Sequence, residues 1–278
     1  MFELYEKTSN QCSKATTNIY STSFSLGIRM IQKDIRWAIY GIYGFVRLAD
    51  EIVDTFDRSD KAELLTKFRR DTYEAVHSKI SLNPILQSFQ KVCNLYGIEK
   101  ELIEPFFASM AKDLDQQTYN DDQYNQYIYG SAEVVGLMCL KVFCKGDDSK
   151  YNELKPYAQS LGAAFQKVNF IRDIKSDIED RGRVYFPHLD LTKFNDNLKK
   201  EIIEDIKKDF EQAYIGIKKL PLTCRFGVYT AYIYYLKLLD KIERTQADNI
   251  LNNRIRVADT QKAALLAKSF FKFKLNIL

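Results

Sequence analysis

Ile35–Asp54 reads IRWAIYGIYGFVRLADEIVD. From Trp37 to Val53 its only charged residues are Arg47, Asp50 and Glu51. A helix on a protein surface shows a polar face along its whole length, so this segment reads as a buried helix. Tyr43, Arg47, Asp50 and Asp54 are spaced four, three and four apart and fall in one stripe. Ala38, Ile42, Phe45, Ala49 and Ile52 form a neighbouring apolar stripe. The helix therefore carries two aspartates and a guanidinium into protein interior, where an unpaired carboxylate is costly.

A second segment has the same character. In Leu161–Asp177, LGAAFQKVNFIRDIKSD, the residues Gly162, Gln166, Asn169, Asp173 and Asp177 share one stripe, with Ala164, Val168 and Ile171 roughly opposite. Facing each other, the two helices bring four aspartates together, with Arg47, Arg172 and bound cations as the sequence's evident counter-charges. Oxygen-only ligation of this kind suits Mg²⁺, which takes few protein ligands and fills its shell with water and substrate phosphate.

The remaining composition excludes several classes. The chain has 278 residues and a net charge of +4, and no concentrated basic face argues for nucleic acid. Five cysteines without Cys-x-x-Cys spacing and only His77 and His188 leave little material for zinc and point to a reducing, cytoplasmic setting. No signal peptide opens the chain, and no apolar run of membrane-spanning length is expected. The five prolines are scattered, and no Gly/Ser/Pro-rich run divides the chain, so residues 1–278 read as one domain. No segment alternates as a strand does, and the chain reads as all-α.

Helices are expected over Leu4–Tyr20, Asp57–Lys79, Leu82–Tyr96, Glu101–Asp115, Tyr124–Phe143, Leu198–Leu220, Phe226–Arg244 and from Arg254 to about Phe271. The turn Ser21-Thr22-Ser23-Phe24 offers hydroxyls either to phosphate or to a helix start. Asp113 and Asp115 read as surface charge at a helix end. Tyr129-Gly130-Ser131-Ala132 lets a ligand or a neighbouring backbone come close. Gly182 ends the second acidic helix, and Arg181 and Arg183 either approach a polyanion or pair with Glu179 and Asp180. Lys268–Leu278 mixes bases with aromatics, which suits a peripheral membrane contact; the alternative is an end packed on the last helix.

The succession Ser21-Thr-Ser23-Phe24, Tyr43-x₃-Arg47-x₂-Asp50-Glu51-x₂-Asp54, Tyr129-Gly130 with Val135-Gly136, Gln166-x₂-Asn169-x₂-Arg172-Asp173-x₃-Asp177 and Gly182-Arg183-x-Tyr185-x-Pro187 resembles the squalene and phytoene synthase family, most of all its bacterial phytoene synthases. The resemblance implies an isoprenoid-synthase-type helical bundle around a central cavity, with the acidic helices on opposite walls. It implies head-to-head joining of two isoprenoid diphosphates through a cyclopropyl diphosphate. Asp50, Asp54, Asp173 and Asp177 would hold Mg²⁺, or Mn²⁺, with Asn169 assisting. Ser21, Ser23, Arg47 and Arg172 would contact diphosphate, Tyr43, Tyr129, Gln166 and Tyr235 would line the pocket, and Arg254 would stand near its mouth. For phytoene no NADPH is expected. Glu51 departs from the usual second Asp, and Glu133 from the usual small residue. No membrane anchor is expected at the C-terminus, unlike eukaryotic squalene synthases.

Three competing readings are distinguishable. A head-to-tail elongase or terpene cyclase also uses Asp-rich helices, but lacks the Gln166–Asp177 pattern and Gly182-Arg183-x-Tyr185. A squalene or dehydrosqualene synthase would use farnesyl diphosphate. A non-catalytic assembly factor would not need all four aspartates.

Overall fold

The first acidic segment forms the spine of the bundle. A computed structural model of the chain describes residues 1–115, 118–187, 189 and 194–275. The described residues form thirteen α-helices and no strand; Thr118 and Val184 make one isolated bridge. The chain starts with α1 (Phe2–Tyr20) and α2 (Thr22–Arg29), where Ser21 accepts from the Phe24 amide and caps α2. α3 (Lys33–Asp50) carries the first acidic row. It does not run on as an α-helix through Asp54: Glu51–Thr55 is a π turn. Such widened turns are rare and concentrate at functional sites.

α4 (Lys61–Ser78), α5 (Pro84–Tyr96) and α6 (Lys100–Asp115) follow. Asn83 caps α5, and Gly97, with φ +65°, stops it where a left-handed residue is needed. The expected helix over Tyr124–Phe143 is α7 (Asp121–Ile128), a second π turn (Tyr129–Glu133) and α8 (Val134–Cys144). By length and mean hydropathy, 1.4, this run is apolar enough to cross a membrane, contrary to the expectation that none would be. It packs instead against α3, α6 and α9, and 56% of its apolar window is buried.

α9 (Asp148–Glu179) is a single 32-residue helix and carries the second acidic row. α10 (Asp196–Lys219) and α11 (Leu222–Arg244) pack along it and beside each other. The helix expected to start at Arg254 does not: α12 (Ala247–Asn252) and α13 (Asp259–Lys274) are separated by extended chain that holds Arg254 and Arg256. In the C-terminal stretch Phe270 and Phe271 are exposed, Phe273 packs on Phe226, and 276–278 lie outside the described residues. His188 lies outside them as well.

The Phe surplus is largely core. Phe45 on α3 stacks on Phe89 with centroids 3.9 Å apart, and Phe68, Phe106 and Phe107 surround it. This cluster fixes the buried face of α3 and leaves its Tyr43–Asp54 stripe turned toward α9.

Candidate active site

A cavity of about 610 Å³ lies between α3 and α9, closed by residues of α2, α8, α10 and α11. Its lining includes the whole first stripe, Tyr43, Arg47, Asp50 and Asp54, and the whole second stripe, Gly162, Gln166, Asn169, Asp173 and Asp177. Ser21, Arg172, Tyr235 and Arg254 line it too. Ser23 and Tyr129 do not, so two of the expected substrate contacts stand outside the cavity wall. Ser23 lies inside the first turn of α2, and Tyr129 packs against the core.

The two ends of the cavity differ. One end gathers the aspartates with Arg47, Arg172, Arg181, Arg183 and Arg254. The other is walled by Ile31, Ile39, Leu140, Phe143, Leu154 and Ile217. Between them Phe165 stacks on Tyr235 at 4.0 Å, and Phe24 touches Tyr43, Phe165 and Tyr235.

The carboxylates are not left facing one another unpaired. Asp173 takes Arg172 Nε at 2.9 Å and Arg254 Nε at 2.8 Å. Burial pushes its pKa up, but these two guanidiniums outweigh burial and hold it below the usual value. Arg181 bridges the rows: Nη1 reaches Asp177 Oδ1 at 2.9 Å, and Nε lies 3.6 Å from Asp54 Oδ1. Arg183 Nη1 reaches the same Asp54 oxygen at 2.7 Å. Neither arginine pairs with Glu179 or Asp180; Gly182, at φ +66°, folds the chain back so that both point at the acidic rows. Burial raises the Asp177 carboxyl to about 7 despite Arg181.

Asp50 is the exception. Its nearest counter-charge among the described residues is Arg47 at 4.0 Å, and Arg47 itself is taken by Glu51. Burial first, and the neighbouring Asp54 charge second, push Asp50 up to about 8. Glu51 is thus buried and serves as the partner of Arg47, whose guanidinium also covers the Tyr20 ring at 4.2 Å.

Asp113 is the residue the sequence reading missed. It is no surface charge: its side chain is 4% exposed and lines the cavity. Tyr127 donates to Oδ2 at 2.7 Å, Tyr185 donates to Oδ1 at 3.0 Å, and Arg183 lies 3.6 Å away. Burial raises it to about 6. A signal was present: Ile103, Phe106, Met110 and Asp113 are spaced three, four and three apart, so Asp113 continues an apolar stripe. Glu133 sits half-buried outside the cavity and accepts from Gln159 at 2.8 Å.

The groups at the acidic end able to ligate a metal are oxygens, those of the aspartates and of Asn169, which suits a hard divalent cation. Asp50 lacks a close counter-charge, and Arg47 Nε is buried with no partner among the described residues. One group calls for a cation and the other for an anion, as a metal diphosphate would supply. Among the described residues no three acidic, His or Cys side chains form a ready cage, so a cation here would complete its shell from a ligand.

A family model described as squalene/phytoene synthase matches residues 17–261. The phytoene synthase of Arthrospira platensis is 29% identical over 92% of this chain and 90% of its own. The chloroplastic phytoene synthase 1 of Solanum lycopersicum is 27% identical over 97% and 68%. Among solved structures, a dehydrosqualene synthase in complex with ligand superposes with a TM-score of 0.82 at 20% identity, covering 98% of this chain and 99% of its own. A squalene synthase from Alicyclobacillus acidocaldarius gives 0.75 at 18%, over 87% and 95%. At these identities the structures show a shared fold.

Proposed function

The chain belongs to the squalene and phytoene synthase family of prenyltransferases, and from that premise we propose that it joins two geranylgeranyl diphosphates head to head into phytoene, releasing two diphosphates. The observation that carries the reading is the polarity of one cavity: acidic rows and arginines at one end, aromatic and aliphatic walls beyond. The choice of phytoene over squalene rests on the relatives, which are phytoene synthases by name.

In this reading Asp50, Asp54, Asp173, Asp177 and Asn169 are the residues that would hold divalent cations, with Mg²⁺ the expected ion. Bound cations would act as Lewis acids that stabilise departing diphosphate. The protein's own share is charge and shape. Arg47, Arg172 and Arg254 line the diphosphate end, and a guanidinium fork matches phosphate oxygens. Ser21 adds a hydroxyl beside them. Arg181, one-third exposed and shared by Asp54 and Asp177, can exchange its carboxylates for an incoming diphosphate.

Ionisation of an allylic diphosphate leaves a carbocation that water would quench. The second substrate's double bond attacks it, and loss of a proton from the resulting cation closes the ring to a cyclopropyl diphosphate. A second ionisation then leads, by rearrangement and loss of a proton, to the conjugated triene. The apolar walls exclude water from both steps. The Phe24, Tyr43, Phe165 and Tyr235 rings line the cavity, and an aromatic face beside a cation stabilises it. Burial raises the Tyr43 hydroxyl to about 12, so it remains a neutral donor rather than a base. No reductant is needed for phytoene.

The test is product identification after incubating purified protein with geranylgeranyl diphosphate and Mg²⁺, without isopentenyl diphosphate or NADPH. A C40 triene is expected. Preferential formation of a C30 product from farnesyl diphosphate would overturn the substrate assignment, and a requirement for isopentenyl diphosphate would overturn the head-to-head chemistry.

A further inference from the structure

Arg181 and Arg183 reach the same oxygen of Asp54 but are held differently. Arg181 is 32% exposed and, among the described residues, pairs only with the two acidic rows. Arg183 is 6% exposed and is fixed at several atoms. Its Nη2 donates to the Asp113 carbonyl at 2.7 Å, and its Nη1 donates to Asp54 Oδ1 at 2.7 Å and to the Tyr185 hydroxyl at 3.3 Å. Its backbone amide donates to the Asp177 carbonyl at 2.8 Å. The Asp113 carboxylate beside it is clamped in turn by Tyr127 and Tyr185. The Tyr185 ring stacks on Phe170 of α9, with centroids 4.2 Å apart.

We propose that Asp113 and Arg183 are positioning residues for Asp54. Arg183 pins Oδ1 and leaves Oδ2 as the oxygen offered to a divalent cation; Asp113, with Tyr127 and Tyr185, keeps Arg183 from following Asp54 into the cavity. The pair also ties α6 to the chain beyond α9, so the two acidic rows keep one separation. The inference rests on Asp54 being a cation ligand. Outer partners of metal-binding carboxylates commonly control affinity about 10- to 100-fold.

Charge alone makes a different forecast. Arg183 is a cation beside a cation site, so its removal would tighten metal binding if charge were its whole role. Positioning requires the opposite. The experiment is Mn²⁺ binding to the full-length protein at pH 8.5, read as free Mn²⁺ by electron paramagnetic resonance, with a thermal melt for each variant.

Asp113→Asn, Arg183→Gln and Arg183→Lys should each weaken Mn²⁺ about tenfold. The lysine keeps the charge but cannot reach the same acceptors, so its loss separates geometry from charge. Tyr127→Phe and Tyr185→Phe keep the stacked rings and remove one hydroxyl each; they should weaken binding several-fold and serve if Arg183→Gln does not fold. Arg183→Gln binding as tightly as the parent or tighter overturns the proposal, as does parent-like affinity in the Tyr→Phe pair. Asp54→Asn is the control for the underlying reading. If it leaves Mn²⁺ affinity unchanged, Asp54 is no ligand and both readings fall. If it weakens binding while the Asp113 and Arg183 variants do not, only the positioning role falls.

Discussion

Asp50 is a carboxyl group held at a cost. Its pKa near 8 means that the folded protein retains the proton at pH values where the unfolded chain, near 3.8, has lost it. Between those values the folded state binds more protons, so this group's contribution to stability falls as pH rises from about 4 to about 8. Asp177, raised to about 7, acts in the same sense over a narrower window. Asp50→Asn should therefore melt at a higher temperature than the parent at pH 8.5. The gain should shrink steadily as pH falls toward 4, while turnover is lost at every pH. Melting curves across that range check it, and a gain that grew as pH fell would refute the assignment. Destabilising groups of this kind are commonly kept where activity needs them. At this scale the sequence was informative about which residues converge, since both stripes follow from helical spacing alone. It was not informative about partners. Arg183 and Asp54 are 129 residues apart, and Asp113 and Arg183 are 70 apart. Only the turn at Gly182 brings them together, so local pattern offered Arg181 and Arg183 either a polyanion or the neighbouring Glu179 and Asp180, and neither distant aspartate.

The helices themselves were largely readable. Apolar periodicity, Gly97 and Gly182 marked most of them to within a few residues. The two π turns were not, because an extra residue in one turn leaves the apolar period almost unchanged. Tyr129–Glu133 shows why the second one exists. A Cβ at Gly130 would meet the Pro105 carbonyl and Ser109 Oγ at 2.2 Å each, so α6 presses directly on the turn. A Cβ at Gly162 would meet the Ala132 carbonyl at 2.8 Å, so α9 presses from the other side. Ser109 Oγ donates to the Tyr127 carbonyl at 3.2 Å, which satisfies a group on the turn's approach. Of the two uses open to these small residues, Gly130 serves the contact between helices, while Ser131, Ala132 and Gly136 line the cavity. Gly130→Ala should destabilise the protein by about 1–3 kcal/mol through overpacking against backbone. It should also lower turnover, because Tyr127, one clamp of Asp113, sits three residues before it. Thermal melts and steady-state rates check this; unchanged melting would show that the turn yields freely. The break between α12 and α13 was missed for a related reason. Arg254 is drawn out of helical register by its pairing with Asp173, 81 residues earlier.

Across the whole molecule, one long helix sets the depth available to a prenyl chain. Leu154 and Asp173 lie on the same continuous α9 and both line the cavity. Nineteen residues of helix separate them, about 28 Å of axis. Ala158 lies one turn inside Leu154, lines the cavity and is small. Across from this end stand Leu140 and Phe143 of α8, Ile217 of α10 and Leu220 just after it, all buried. In the proposed reading the diphosphate end is anchored by side chains fixed to both walls, so a longer substrate gains room toward Leu154. Ala158→Phe adds a ring at that end without touching the acidic rows. If the proposed C20 chemistry holds, it should leave ionisation intact and shift the protein toward the C15 substrate, so that the C30 product rises relative to C40. The ratio of kcat/KM for the two diphosphates should change by more than tenfold, since a rigid wall excludes an extra isoprene unit more sharply than it discriminates one methylene, worth about 1–3 kcal/mol. Competition between equimolar geranylgeranyl and farnesyl diphosphate, followed by product analysis, measures that ratio directly. A variant that lost both products equally would place the chain's far end elsewhere. One that kept the parent's ratio at full activity would show that the chain never reaches Ala158.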